Sequence, residues 1–122
     1  MEKCILIYDD DMEISAVSKI ILEKKKYRVE TRTRCDDIIK ELCEIKPDLV
    51  FMDLWIPVMG GESALKLMKQ NEKTQHIPVV LFSANDSIEE VCERSNADGY
   101  LKKPFTMAEL LQIVENTILE KG

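Results

Sequence analysis

Three short, unbroken apolar runs constrain this chain most: Cys4-Ile5-Leu6-Ile7-Tyr8, Leu49-Val50-Phe51-Met52 and Val79-Val80-Leu81-Phe82. A strand with one wet face alternates apolar and polar residues. Runs that do not alternate suit strands covered on both faces, as in a parallel sheet. The segments between them have helical spacing. Ile14, Val17 and Ile21 share one face of a first helix, and Ile38, Leu42 and Ile45 one face of a second. Ala64, Leu65 and Met68 mark a third, Ile88, Val91 and Cys92 a fourth, and Leu110, Leu111, Val114 and Ile118 a fifth. Two weaker strands complete the set. Residues 27–33 alternate Arg28, Glu30 and Arg32 against Tyr27, Val29 and Thr31, while Gly99-Tyr100-Leu101-Lys102 is short and half polar. Both suit sheet edges.

Strand and helix therefore alternate five times, the pattern of an α/β chain with parallel strands, right-handed crossovers and helices on both faces. Boundary residues agree. Asp11 predicts the N-cap of the first helix; Asp86 with Glu89, and Thr106 with Glu109, predict capping boxes for the fourth and fifth. Pro47 closes the second helix, Pro78 opens a strand, and Gly60-Gly61 precedes the third helix. Lys24-Lys25-Lys26 ends the first helix, where positive charge suits the dipole. With 122 residues and no repeat or linker, positions 1–122 read as one domain large enough for a real core.

Charge narrows the partners. Acidic residues outnumber basic ones 23 to 17, a formal net charge of −6, so nucleic acid and anionic membrane are disfavoured. No apolar run approaches the roughly 20 residues of a membrane helix. Met1-Glu2-Lys3-Cys4 does not open a leader peptide, so the expectation is a soluble, cytoplasmic chain. Cys4, Cys35, Cys43 and Cys92 contain no Cys-x-x-Cys pair and are expected to be reduced core thiols. His76 stands alone and reads as a surface residue; Met52, Met59 and Met68 read as packing or loop residues.

In parallel sheets the ligand site lies beyond the carboxyl ends of the strands. Here the first strand runs into Asp9-Asp10-Asp11, the third ends in Asp53, the fourth in Ser83-Ala84, and the fifth runs into Lys103-Pro104. Bringing Asp9, Asp10 and Asp53 together costs mutual repulsion unless cations answer it. Carboxylate oxygens with room for water suit a hard ion, Mg²⁺ foremost. Beside such an ion and a lysine, a dianionic phosphoryl group is a natural guest and a carboxylate can be its acceptor. The chemistry suggested is phosphoryl transfer to aspartate.

Four segments together carry a resemblance. Ile7-Tyr8-Asp9-Asp10-Asp11, residues 50–61 from Val50 through Asp53 to Gly61, Val80-Leu81-Phe82-Ser83-Ala84, and Gly99-Tyr100-Leu101-Lys102-Lys103-Pro104-Phe105 resemble the chemotaxis-regulator-like receiver domains of two-component response regulators, in order and over nearly the whole chain. The resemblance implies a doubly wound, flavodoxin-like sheet of five parallel strands in the order 2-1-3-4-5 with five helices. It implies that Asp53 accepts a phosphoryl group from a histidine kinase or histidine phosphotransfer protein. Asp9 and Asp10 would bind Mg²⁺ with Asp53 and the backbone carbonyl of Trp55. Ser83 and Lys103 would each meet a phosphoryl oxygen. Alternation alone does not choose between Lys102 and Lys103; the family's Lys-Pro motif selects Lys103, before a bond that is usually cis. Ser83 and Tyr100 would form the switch that remodels the fourth helix, fifth strand and fifth helix toward a downstream protein. Trp55 and Asn85 occupy positions where the lifetime of the acyl phosphate is tuned.

The implied function is a phosphorelay switch, not an enzyme with an external substrate, that catalyses only its own phosphorylation and dephosphorylation. Two alternatives stand beside it. Ile7-Tyr8-Asp9-Asp10-Asp11 also reads as the hydrophobic-Asp-x-Asp motif of haloacid-dehalogenase-like phosphatases, with Asp9 as nucleophile, although Met12-Glu13 depart from that motif. A receiver-like binding module that is never phosphorylated is the other. With two residues after Glu120, no effector domain is expected to follow in this chain, which leaves open a stand-alone receiver or a piece of a larger regulator or hybrid kinase.

Overall fold

The computed structural model describes residues 2–121, with side chains through Leu119; the leader reading at Met1 and the chain-end reading at Gly122 lie outside the described residues. Its elements are β1 (Cys4–Tyr8), α1 (Met12–Lys24), β2 (Arg28–Arg32), α2 (Ile38–Ile45), β3 (Leu49–Asp53), α3 (Gly61–Gln70), β4 (Val79–Ser83), α4 (Ile88–Ser95), β5 (Gly99–Lys102) and α5 (Met107–Lys121). All strand pairs are parallel and the sheet runs β2-β1-β3-β4-β5, the expected order.

The apolar runs are buried along their length because two helical layers share them. Ile5, Ile7, Phe51, Val80 and Phe82 pack with Leu22 of α1 and with Leu110 and Val114 of α5. Leu6, Tyr8, Val50, Met52, Val79 and Leu81 pack with Ile38 and Leu42 of α2, Ala64, Leu65 and Met68 of α3, and Ile88 and Val91 of α4. Successive strand residues point to opposite faces, so one unbroken run serves both cores. Phe82 stacks between Phe51 and Phe105, at 4.5 and 5.2 Å between centroids.

Caps follow the side chains within reach. Asp11 accepts from the Glu13 and Ile14 amides, and Thr106 and Glu109 form their reciprocal box at 2.9 and 3.1 Å. The box expected from Asp86 and Glu89 does not form. Parallel pairing brings Lys102 of β5 to Asp86, which it binds, and Asn85 Oδ1 instead accepts from the backbone N–H and hydroxyl of Ser87, the α4 N-cap.

Two other expectations are corrected. Val17 is 51% exposed; α1 buries Ser15, Ser18 and Leu22 instead, with Ile14 and Ile21 half-buried. Small serines let the helix lie close to the sheet, and Ser15 Oγ donates to the Asp9 carbonyl. Cys4 and Cys35 are buried, but Cys43 is exposed and Cys92 half-buried, so the core-thiol reading holds for two of the four; all are free. Among the described residues no helix is long and apolar enough to cross a membrane.

Candidate functional site

Strand register assembles the site. Tyr8 pairs with Met52, so the next residues, Asp9 and Asp53, emerge side by side at the carboxyl edge of the sheet. Asp53 pairs with Phe82 and Ser83 with Lys102, which brings the ends of β4 and β5 to the same edge. One carboxylate oxygen from each of Asp9, Asp10 and Asp53 lies within 4.8 Å of the others. Asp9 is fully buried, Asp53 is 5% exposed, and Asp10 faces solvent.

Lys103, not Lys102, enters this cluster. Its Nζ lies 2.6 Å from Asp9 Oδ2 and 5.9 Å above the Phe82 ring. The contact with Asp9 is an ion pair, and among the described residues Oδ2 has no hydrogen-bond partner besides it. Asp9 Oδ1 accepts from the Asp11 amide at 2.9 Å. The Lys103 amide donates to the Ser83 carbonyl at 2.9 Å, and the Lys103–Pro104 peptide is cis. Lys102 points outward to the exposed Asp86.

Burial pushes the Asp53 carboxyl up to about 6; Lys103 opposes this, Asp9 and Asp10 add to it, and the Trp55 amide, 3.4 Å away, opposes it weakly. The cluster therefore carries more negative charge than one lysine answers. Three converging carboxylates, one with a buried oxygen that has no hydrogen-bond partner besides Lys103 among the described residues, fit a hard divalent cation with oxygen ligands.

The other sequence candidates sit around this centre. Ser83 is buried, and its Oγ accepts from the Asn85 amide at 3.0 Å. Trp55 is 70% exposed on the loop that follows Asp53, and Tyr100 is 37% exposed on the edge strand. Asn85 is exposed, its Oδ1 engaged with Ser87. The phosphatase alternative fits poorly, because the Asp9 side chain is fully buried and already meets Asp11 and Lys103.

Sequence reading missed two supports. Gly61 opens α3 directly beneath Asp53: a Cβ there would lie 2.4 Å from the Asp53 carbonyl oxygen and 2.8 Å from Leu54 Cα. Gly60 before it adopts φ +81°, a left-handed conformation that glycine enters without strain. The Gly-Gly pair was the available signal. The second support is the Glu41 carboxylate, which accepts from the hydroxyl of the buried Tyr8 at 2.7 Å. Nothing in the local pattern links those two positions.

The family model for the response regulator receiver domain matches residues 5–115. The chain is 36% identical over 112 residues to the DNA-binding dual master transcriptional regulator RpaA of Synechocystis, covering 88% of this chain and 45% of that protein. It thus spans about half the length of the curated relatives it matches. Among solved structures, the receiver domain of sensor histidine kinase PA1611 from Pseudomonas aeruginosa, with a magnesium ion coordinated in its active-site cleft, is 27% identical, with a TM-score of 0.86 and coverage of 97% and 98% of the two chains. The receiver domain of NtrX from Brucella abortus is 26% identical, with a TM-score of 0.84 and coverage of 94% and 98%.

Proposed function

The chain belongs to the response regulator receiver domains of two-component phosphorelay signalling, and on that premise we propose that residues 1–122 form one receiver unit whose Asp53 accepts a phosphoryl group. The observation that carries this reading is the convergence of Asp9, Asp10 and Asp53 beside the Lys103 ammonium. Asp9, Asp10, Asp53 and the Trp55 carbonyl would hold Mg²⁺. When bound, the ion offsets the carboxylate charge and that of the incoming phosphoryl oxygens.

The rest follows from the chain's own groups. An Asp53 oxygen attacks phosphorus as the bond to the donor imidazole breaks; the imidazole leaves with the electron pair and takes a proton from solvent. Lys103 is poised to exchange Asp9 Oδ2 for a phosphoryl oxygen, and the Ser83 hydroxyl to donate to another. In-line transfer asks little more of a protein than such positioning and charge neutralisation. Dephosphorylation is the same geometry with water attacking phosphorus and Asp53 leaving. Trp55 and Asn85 flank the site and would set how readily water enters.

The donor would be a histidine kinase or histidine phosphotransfer protein. Ser83 and Tyr100 would relay occupancy of the site to the α4–β5–α5 face and so to a downstream protein, in the cytoplasm. The net charge of −6 argues against direct nucleic-acid contact by this part, although the matched relative RpaA is a DNA-binding regulator of which the chain covers 45%.

Intact-protein mass spectrometry after incubation with acetyl phosphate and Mg²⁺ tests the reading. One added phosphoryl group is expected, absent in Asp53→Asn and without metal. No adduct together with no beryllofluoride binding would overturn it in favour of a receiver-like module that works without phosphate.

A further inference from the structure

Glu41 lies in α2, away from the carboxylate cluster, yet its contacts lead back to it. Its Oε1 accepts from the Tyr8 hydroxyl at 2.7 Å, and its Oε2 accepts from the Asp37 and Asp36 amides at 2.9 and 3.1 Å. Tyr8 is the last residue of β1, immediately before Asp9 and Asp10, and is fully buried. Asp36 and Asp37 belong to the turn between β2 and α2. Capping alone does not account for this carboxylate, because Asp37 already caps α2 by accepting from the Lys40 amide, and the bond to Tyr8 crosses to another strand.

The same turn grips the loop that follows Asp53. The Cys35 amide donates to the Pro57 carbonyl at 2.5 Å, and the Val58 and Met59 amides donate to the Cys35 carbonyl at 3.1 and 3.2 Å, forming a small parallel bridge. Farther along the loop, Gly60 and Gly61 bond back to the carbonyls of Ile56 and Leu54. Trp55 thus lies between two anchored points: Asp53, whose Oδ1 accepts its amide, and Pro57, held by Cys35.

We propose that Glu41 is a positioning residue for the metal site, tying the strand that carries Asp9 and Asp10 to the turn that holds the Trp55 loop. This rests on the metal-binding reading above. All three groups that Glu41 meets are donors, and a carboxylate is the side chain that only accepts. Alanine in its place removes all three contacts, whereas glutamine, with its oxygen on the two amides and its NH₂ donating to the Tyr8 oxygen, would keep them. Without those contacts the turn that holds the loop is no longer tied to β1, and Trp55 samples positions unsuited to sharing an ion with Asp53.

Trp55 is the only tryptophan, so its emission reports this loop directly. The test is titration with Mg²⁺ alone, followed by Trp55 fluorescence and by calorimetry, at a temperature where far-UV circular dichroism shows each protein folded. Wild type is expected to bind, and Asp10→Asn to lose the response. Glu41→Ala should bind at least threefold more weakly, and Tyr8→Phe, which keeps the carboxylate on the turn amides, about twofold more weakly. A role in stability alone would lower the melting temperature and leave Mg²⁺ affinity of the folded protein unchanged, which would overturn the proposal. Should Glu41→Ala not fold, an unchanged affinity in Tyr8→Phe overturns it equally. Absence of Mg²⁺ binding by wild type would instead remove the metal reading, and this proposal with it.

Discussion

Lys103 Nζ stands 2.6 Å from Oδ2 of the fully buried Asp9, an oxygen with no other hydrogen-bond partner among the described residues. One lysine therefore holds the resting charge of the carboxylate cluster while being the group expected to meet the phosphoryl oxygen. It would compete with a metal for Asp9, and it is at the same time the cation that answers the cluster's charge.

Removing that lysine should separate the two effects. Breaking a buried ion pair by deleting one partner costs about 3 kcal/mol, because the other charge is left uncompensated. Lys103→Met should lose about that much stability in metal-free urea melts and bind Mg²⁺ more tightly than wild type. Equal metal-free stability would show that the pair carries no such weight.

The floor beneath Asp53 leaves no room for a methyl group. Because a Cβ at Gly61 would meet backbone atoms at 2.4 and 2.8 Å, the start of α3 must shift away from Asp53 to admit alanine. Overpacking of this kind costs about 1–3 kcal/mol. Gly61→Ala should show that loss in denaturant unfolding together with slower phosphorylation from acetyl phosphate. At Gly60 the space is open and only the φ of +81° opposes a side chain. Gly60→Ala is therefore expected to lose stability through backbone strain alone, about 1–3 kcal/mol.

Cys35 gives a prediction in pH. Burial, followed by the nearby Glu41 charge, pushes its thiol up to about 12. The folded state thus holds the proton more tightly than the unfolded chain. The resulting stability is fully present below the unfolded thiol value of about 8.5 and is lost as pH rises toward about 12. In the native protein, a thiol reagent at pH 8 should label the exposed Cys43 quickly and leave Cys35 untouched until denaturant is added. Rapid native labelling of Cys35 would contradict its burial.

The turn into α4 depends on Asn85 rather than Asp86. Asn85→Ala removes the acceptor for the Ser87 amide and hydroxyl and should lower stability by about 1 kcal/mol, as loss of a cap does. Asp86→Asn should leave thermal stability unchanged, because its pairing with Lys102 is solvent-exposed. Paired thermal melts of the two variants decide between these residues.

Trp55 is 70% exposed beside the site, where its indole would screen a phosphoryl group on Asp53 from water. Trp55→Ala should shorten the lifetime of phospho-Asp53 severalfold, measured as loss of the mass adduct over time. An unchanged lifetime would leave Trp55 as a loop residue without a tuning role.

Local signals determined much of this protein. Apolar runs of strand length, helical spacings, Asp11 and the Thr106–Glu109 box act between neighbours in the chain, so element order and strand ends were legible. The same signals put Asp9, Asp10, Asp53, Ser83 and Lys103 at strand ends. Where only the fold decides, local pattern was silent or misleading. Val17 matched a helical face, but the face that α1 turns inward is set by how closely it packs on the sheet, and serines allow the closer approach. Asp86 matched a capping box, yet Lys102 arrives beside it through strand pairing and takes its carboxylate. The ion pair of Lys103 with Asp9 and the contact of Tyr8 with Glu41 depend on register and crossovers between distant segments. Those relations exist only once the sheet has formed, because the groups that meet are far apart along the chain.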